Sequence, residues 1–189
     1  MIGVLGGSFN PAHDGHRHIS EAALHHLRLD QLWWLVSPQN PLKSRHEMAS
    51  QQERIATAER LITDPRIRVT GMEVAWGTRF TADSLVVLRR RFPRCRFIWI
   101  MGADNLRQIA RWERWTGIFR AVAVAVFDRS PYSQESLASK AARRFGRWRL
   151  AAAGRLAIST PPAWIFMHIR RHPASATAIR RRRAEVMAR

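Results

Sequence analysis

Apolar runs of strand length alternate along the chain with stretches in which apolar residues recur at helical spacing, a pattern that predicts a parallel sheet with crossover helices. Ile2 to Leu5 reads as a first strand. After a turn at Gly6 and Gly7, the residues Ile19, Ala22, Ala23 and Leu27 fall at helical spacing between about Gly15 and Arg28, and Gln31 to Val36 reads as the second strand. Ser37-Pro38-Gln39-Asn40-Pro41 cannot continue that strand, because proline has no N–H to give a ladder. Ser50-Gln51-Gln52-Glu53 has the form of a capping box, in which serine and glutamate satisfy free amides at a helix start, and it predicts a helix to about Ile62.

Farther along, Ile67 to Thr70 reads as a short strand, Thr81 to Phe92 as a helix, Phe97 to Met101 as a central strand and Ala121 to Phe127 as another. A helix is expected around Glu135 to Phe145, a last strand at Trp164 to His168, and a final helix from near Ala176. With no internal repeat and no linker, the expectation is a single α/β domain over residues 1–189, built on a doubly wound parallel sheet.

Composition narrows the setting. Cys95 is the only cysteine, so no internal disulfide forms, and the apolar run from Cys95 to Met101 predicts a buried strand thiol in a protein of the reducing cytoplasm. Met1-Ile2-Gly3-Val4-Leu5 lacks the basic start of an export signal, and no segment approaches the roughly 20 apolar residues that span a bilayer, so no membrane partner is expected. The formal charge of +18 would ordinarily favour a nucleic acid or another polyanion. Its distribution weakens that reading: only Lys43 and Lys140 are lysines, and residues 143–189 hold 12 arginines against a single glutamate. This is the mark of an arginine-rich coding bias and a solvated surface, with the remaining charge serving phosphates.

The segment with the most chemistry is Gly6-Gly7-Ser8-Phe9-Asn10-Pro11-Ala12-His13-Asp14-Gly15-His16, between a strand and a helix. In open parallel sheets, ligands sit at the carboxyl ends of strands, where the following helix offers free N–H groups to an anion. Gly6 and Gly7, lacking Cβ, allow a phosphate to approach the backbone. His13 and His16, three residues apart, are placed to face one anion as donors and to stabilise charge that develops during displacement. A plain turn, a surface histidine pair and a metal site are the alternatives, the last disfavoured because no motif ties a cysteine or paired carboxylate to the histidines. Neither a P-loop nor a Gly-x-Gly-x-x-Gly pattern is present.

Gly6-Gly7-Ser8-Phe9-Asn10-Pro11 followed by His13-Asp14-Gly15-His16 resembles the signature of the nucleotidyltransferase superfamily with the His-x-Gly-His motif. Ser37 to Lys43, Arg79-Phe80-Thr81-Ala82-Asp83-Ser84-Leu85, Met101-Gly102-Ala103-Asp104-Asn105, and Trp112 with Trp115 occur in the order found in bacterial nicotinate-nucleotide adenylyltransferases. Ser175-Ala176-Thr177-Ala178-Ile179-Arg180 is similar to that family's phosphate-binding Ser-Ser-Thr-x-Ile-Arg element, with Ala176 replacing its second serine. Phe80 and Ser84 stand where the family usually has tyrosine and threonine. The resemblance runs from Gly3 to Arg180 and implies a Rossmann-like fold that transfers the adenylyl group of ATP, carried with Mg²⁺, to nicotinate mononucleotide.

It further implies that His13, His16 and Arg180 are catalytic. ATP is expected at Gly6, Gly7, Ser8, Phe9, His13, His16, Gly102, Asp104, Ser175, Thr177 and Arg180, and nicotinate mononucleotide at Ser8, Lys43, Thr81 and Trp112. Asp104 suits the ribose hydroxyls as an acceptor, with helix capping as its alternative role. Thr81 is expected to N-cap its helix, and Trp112 and Trp115 to share one helix, the first stacking on the pyridine ring and the second in the core. His18, His25 and His26 are expected to be surface or packing residues. Nicotinamide mononucleotide and phosphopantetheine are the rival acceptors, and a basic nucleic-acid-binding protein is the rival class. A class I aminoacyl-tRNA synthetase is disfavoured by the short chain and the lack of a Lys-Met-Ser-Lys-Ser-like loop. The oligomeric state is left open, a homo-oligomer included.

Overall fold

Six strands, Ile2–Gly7 (β1), Gln31–Val36 (β2), Ile67–Thr70 (β3), Phe97–Gly102 (β4), Ala123–Phe127 (β5) and Trp164–Met167 (β6), form one parallel sheet in the order β3-β2-β1-β4-β5-β6. They belong to a computed structural model that describes residues 1–38, 48–128, 133–170, 172–174 and 176–187. The chain lays strands outward from β1 to β3, returns to the other side of β1 with β4, and continues to β6. The direction of winding therefore reverses between β1 and β4, where open α/β sheets bind their ligands.

The helices are Asp14–His26 (α1), Gln51–Glu59 (α2), Glu73–Trp76 (α3), Thr81–Arg91 (α4), Ala103–Gln108 (α5), Trp115–Ala121 (α6), Ser133–Leu137 (α7), Lys140–Arg144 (α8), Ala153–Leu156 (α9) and Ala176–Met187 (α10). Because strand side chains alternate between faces, the apolar runs feed two cores. Val4, Trp99, Met101, Val124 and Val126 pack with Leu85 of α4, Leu106 of α5 and Phe119 of α6. Leu5, Ile98, Ile100, Ala125 and Phe127 pack with Ile19, Ala23 and Leu24 of α1 and Ala58 of α2. The sheet is thus covered on both sides, as the doubly wound reading requires. Among the described residues, no helix is long and apolar enough to cross a membrane.

Several boundaries differ from the sequence reading. Helix α2 stops at Glu59 rather than Ile62, although Leu61 and Ile62 still donate back to Ala58 and Glu59 in closing turns. Ala121 ends α6 instead of opening β5, and the N–H of Val122 still bonds the Ile118 carbonyl. The expected helix at 135–145 is two helices, because the Ser139 hydroxyl accepts from the Ala142 N–H and starts α8 afresh. His168 lies just beyond β6, and α3 and α9 carry no strong periodic signal. Cys95 sits half-buried in the turn before β4, not in the strand, since the chain is still leaving Phe92, whose carbonyl accepts from the Cys95 N–H.

One core contact reaches the end of β1. A Cβ on Gly6 would lie 2.0 Å from Cη2 of Trp99, which is only 2% exposed. Any side chain at residue 6 must displace an indole enclosed by the sheet and its helices. Gly6→Ala is therefore expected to destabilise the protein by about 1–3 kcal/mol, the usual cost of overpacking a core, and Trp99→Phe in the same chain should recover part of the loss. Urea unfolding of the three variants beside the parent checks this.

Candidate active site

Strand β1 pairs with β2 along its whole length, to Gly7 opposite Val36, but with β4 only as far as Leu5 opposite Ile100. Both β1 and β4 run on for two more residues, to Gly7 and to Gly102. The sheet therefore opens at its carboxyl edge where the winding reverses. The loop into α1 leaves from one lip of this crevice, and Gly102, the N-cap of α5, and Asp104 in the first turn of that helix lie on the other. Asp104 is accordingly inside the helix start rather than its cap.

At the start of α1 the two histidines cap each other's backbone. His13 is the N-cap: its Nδ1 accepts from the Gly15 N–H at 3.1 Å, while Nδ1 of His16 accepts from the His13 N–H at 3.2 Å. This reciprocal arrangement satisfies two amides at the helix start and has a chemical consequence. With Nδ1 occupied as an acceptor, each neutral imidazole carries its proton on Nε2, as a donor at the far end of the ring. The two rings lie 3.9 Å apart, centroid to centroid, so both donors serve the same small region. Gly15 between them is required sterically: a Cβ there would meet the Ala174 carbonyl and the His13 ring at 2.9 Å.

His16 is wedged in place. Phe9 lies 4.7 Å from its ring and stacks on Trp34 at 5.0 Å. The Trp34 indole N–H donates to the Ser20 hydroxyl at 2.7 Å, which donates in turn to the His16 carbonyl at 2.8 Å. Phe9 is only 1% exposed and takes φ 46°, a left-handed conformation that costs a non-glycine residue on the order of 1–3 kcal/mol and persists only where its surroundings enforce it. The glycines were expected to admit a phosphate, yet packing uses their missing Cβ atoms. Trp99 fills the space at Gly6, and the Phe9 ring lies 3.3 Å from the Cβ direction of Gly7.

The C-terminal segment is laid across this turn. Arg180 on α10 donates to the Asn10 carbonyl at 2.7 Å, and its other terminal nitrogen lies 3.4 Å from the Thr177 hydroxyl. A ring nitrogen of His18 meets the Arg170 carbonyl at 2.6 Å, so this histidine, unmarked by any motif, anchors the approach to α10. Gly6, Gly7, Ser8, Phe9, His13, His16, Thr177 and Arg180 are brought together here. Lys43 and Ser175 lie outside the described residues.

Thr81 and Trp112 belong to the opposite face of the sheet. Thr81 is the first residue of α4; its N-cap is Phe80, in an extended conformation and without a side-chain cap bond, which corrects the expected role of Thr81. Trp112 closes a short 3-10 turn and is half-buried, whereas Trp115 opens α6 and packs edge-on against Phe119 and Phe145. They do not share one helix, because Arg114 between them takes φ 50° and turns the chain. Arg114 also joins the two elements by its ion pair to Asp83 at 2.9 Å.

Arg54, Glu73 and Asp128 are buried charged residues that escaped the sequence reading; Asp128, just beyond β5, lies 3.7 Å from Nδ1 of His168. Arg54 is 2% exposed and donates to the carbonyls of Ala49, Ser8 and Pro38; burial lowers the pKa of its guanidinium. Its one sequence signal is its place four residues before Ala58 on the buried face of α2. Glu73, 5% exposed, lies beneath the turn that leads to Thr81, where the Ser84 hydroxyl donates to its carboxylate. Burial pushes the Glu73 carboxyl up, against a smaller lowering by the Ser84 bond. Among the described residues, no group of three or more His, Cys, Asp or Glu side chains is arranged to hold a metal ion.

Residues 4–182 match the cytidylyltransferase-like family. A Cereibacter sphaeroides protein named "Probable nicotinate-nucleotide adenylyltransferase" is 52% identical over 180 residues, covering 95% of this chain and 96% of its own. A protein of the same name from Agrobacterium fabrum is 47% identical over 182 residues, covering 95% and 97%. Among solved structures, the Plasmodium falciparum nicotinic acid mononucleotide adenylyltransferase complexed with NaAD superposes with a TM-score of 0.72 over 95% of this chain and 82% of that one. At 16% identity, that likeness speaks for the fold.

Since the folded-state pKa of Glu73 lies above its unfolded value, its protonated form contributes stability that is complete below the unfolded pKa and lost as pH rises through the folded one. Glu73→Gln keeps an acceptor for Ser84 without the buried charge. It is expected to exceed the parent in stability at neutral pH and to flatten the decline, as urea midpoints between about pH 4 and about pH 8 will reveal.

Proposed function

The chain belongs to the nicotinate-nucleotide adenylyltransferases, within the cytidylyltransferase-like family, and on that premise we propose that it joins the AMP half of ATP to nicotinate mononucleotide in NAD biosynthesis. The products are nicotinate adenine dinucleotide and pyrophosphate. The observation that carries the chemistry is the reciprocal histidine cap beside the opening between β1 and β4.

The phosphate of nicotinate mononucleotide attacks the α-phosphorus of ATP in line. A P–O bond to the acceptor forms as the bond to the β-phosphate oxygen breaks, and pyrophosphate leaves. ATP enters as its Mg²⁺ complex, and the metal leaves on pyrophosphate as part of the substrate. The protein brings two anions together and neutralises charge that grows on the transferring group and leaving oxygen. Nε2–H of His13 and of His16 and the guanidinium of Arg180 supply that neutralisation, aided by the positive end of the α1 helix dipole. The backbone of Gly6, Gly7, Ser8 and Phe9, with Ser175 and Thr177, completes the ATP phosphate site, with Gly102 and Asp104 at its ribose. Ser8 and Lys43 take the acceptor phosphate. Trp112 stacks on the pyridine, and backbone amides at the start of α4, next to Thr81, meet its carboxylate.

Pyrophosphate release with Mg-ATP is expected to be strongest with nicotinate mononucleotide and weaker with nicotinamide mononucleotide or phosphopantetheine. His16→Ala should lower turnover by roughly 10²–10³ while leaving a folded protein, because one cap bond is worth only about 1 kcal/mol. Faster release with another acceptor would overturn the substrate, and an unimpaired His16→Ala would overturn the site.

A further inference from the structure

Among the described residues, the guanidinium of Arg54 is the most deeply buried charge beside the histidine turn, and every bond it makes goes to backbone. Its Nε donates to the Ala49 carbonyl at 3.0 Å, one terminal nitrogen to the Ser8 carbonyl at 2.6 Å and the other to the Pro38 carbonyl at 3.0 Å. These carbonyls belong to the loop after β1, the loop after β2 and the approach to α2. Among the described residues no carboxylate pairs with it. A planar fork is needed to bridge three such segments, whereas a lysine ammonium is a single point charge on a flexible stem.

What this bridge encloses gives it a catalytic consequence. Arg54 grips the carbonyl of Ser8, Arg180 grips the carbonyl of Asn10, and between them stands Phe9, buried, left-handed and packed on His16. The same α2 approach holds the turn a second time, since the Ala49 N–H donates to the Asn10 side chain at 3.3 Å. Gln51, in the first turn of α2, donates to the Val36 carbonyl at 2.8 Å and fixes that approach to the end of β2.

We infer that Arg54 is a positioning residue for adenylyl transfer: it clamps the backbone after β1 to the backbone after β2, holds Phe9 against His16, and so aims the His16 imidazole without touching substrate. This rests on the function proposed above. A side chain that acts through His16 has nothing left to contribute once His16 is gone, whereas a residue that merely supports the fold weakens every variant alike.

The test is a double-variant cycle on the full chain, with Arg54→Met, His16→Ala and the pair measured by pyrophosphate release from Mg-ATP and nicotinate mononucleotide. Arg54→Met is expected to lower kcat by about 10²-fold, as misplacement of a reacting group by roughly 1 Å does, and to leave both KM values within about threefold. The pair should then turn over within about threefold of His16→Ala alone. An unchanged kcat, a loss confined to KM, or losses that multiply in the pair would overturn the inference. Should Arg54→Met not fold, judged by circular dichroism and a cooperative urea transition, Arg54→Lys is read in the same way. Failure of both to fold makes Arg54 a scaffold residue and also ends the proposal. Silence of the parent protein with these substrates would instead remove the functional reading, and the inference with it.

Discussion

Where β1 and β4 cease to exchange hydrogen bonds, two residues short of their ends, the backbone of each must find partners that a sheet would otherwise supply. The arrangement of the site follows from this requirement. Beyond Gly7, the loop carbonyls at Ser8 and Asn10 are taken by two arginines, and amides at the start of α1 are taken by two imidazoles. Groups that satisfy the backbone are thus the groups that face the opening, or stand directly behind it. The histidines belong to both sets: one nitrogen of each ring serves the helix, and the other is presented as a donor.

Buried polarity gathers around this opening and the turn that leads to α4. Arg54, His13, Ser20, Glu73 and Ser84 are all under 9% exposed, in a chain whose remaining arginines are mostly at the surface. Each gives up hydration on burial, and for Arg54 and Glu73 the loss appears as pKa values displaced toward the neutral form. Trp99 adds a buried indole N–H with no partner among the described residues. Such groups are tolerated because both apolar layers of the sheet are continuous beneath them.

The sheet was legible because six apolar runs are bounded by turn residues, and the burial of strands on both faces leaves little choice of element. Boundaries were less legible where alanine suits helix and strand alike, as at Ala121, or where a serine restarts a helix, as at Ser139. The histidine turn could be read from its letters and its place after the first strand. Its proton arrangement could not, since that depends on which ring nitrogen meets the backbone. Gly6 and Gly7 were recognised, but their reason lay in Trp99, more than 90 residues away, and in the folded-back Phe9. Arg54 was hidden by company: in a chain of 30 arginines, nothing but one helical interval set apart the one that is buried among the described residues.

The bond between Arg180 and the carbonyl of Asn10 joins residues 170 positions apart, and His18 and Gly15 meet the chain at Arg170 and Ala174. A ribosome that has released everything through β6 has supplied all six strands, yet nothing that rests on the first loop from the far end of the chain. Completion of the histidine turn therefore waits on residues that emerge after the sixth strand.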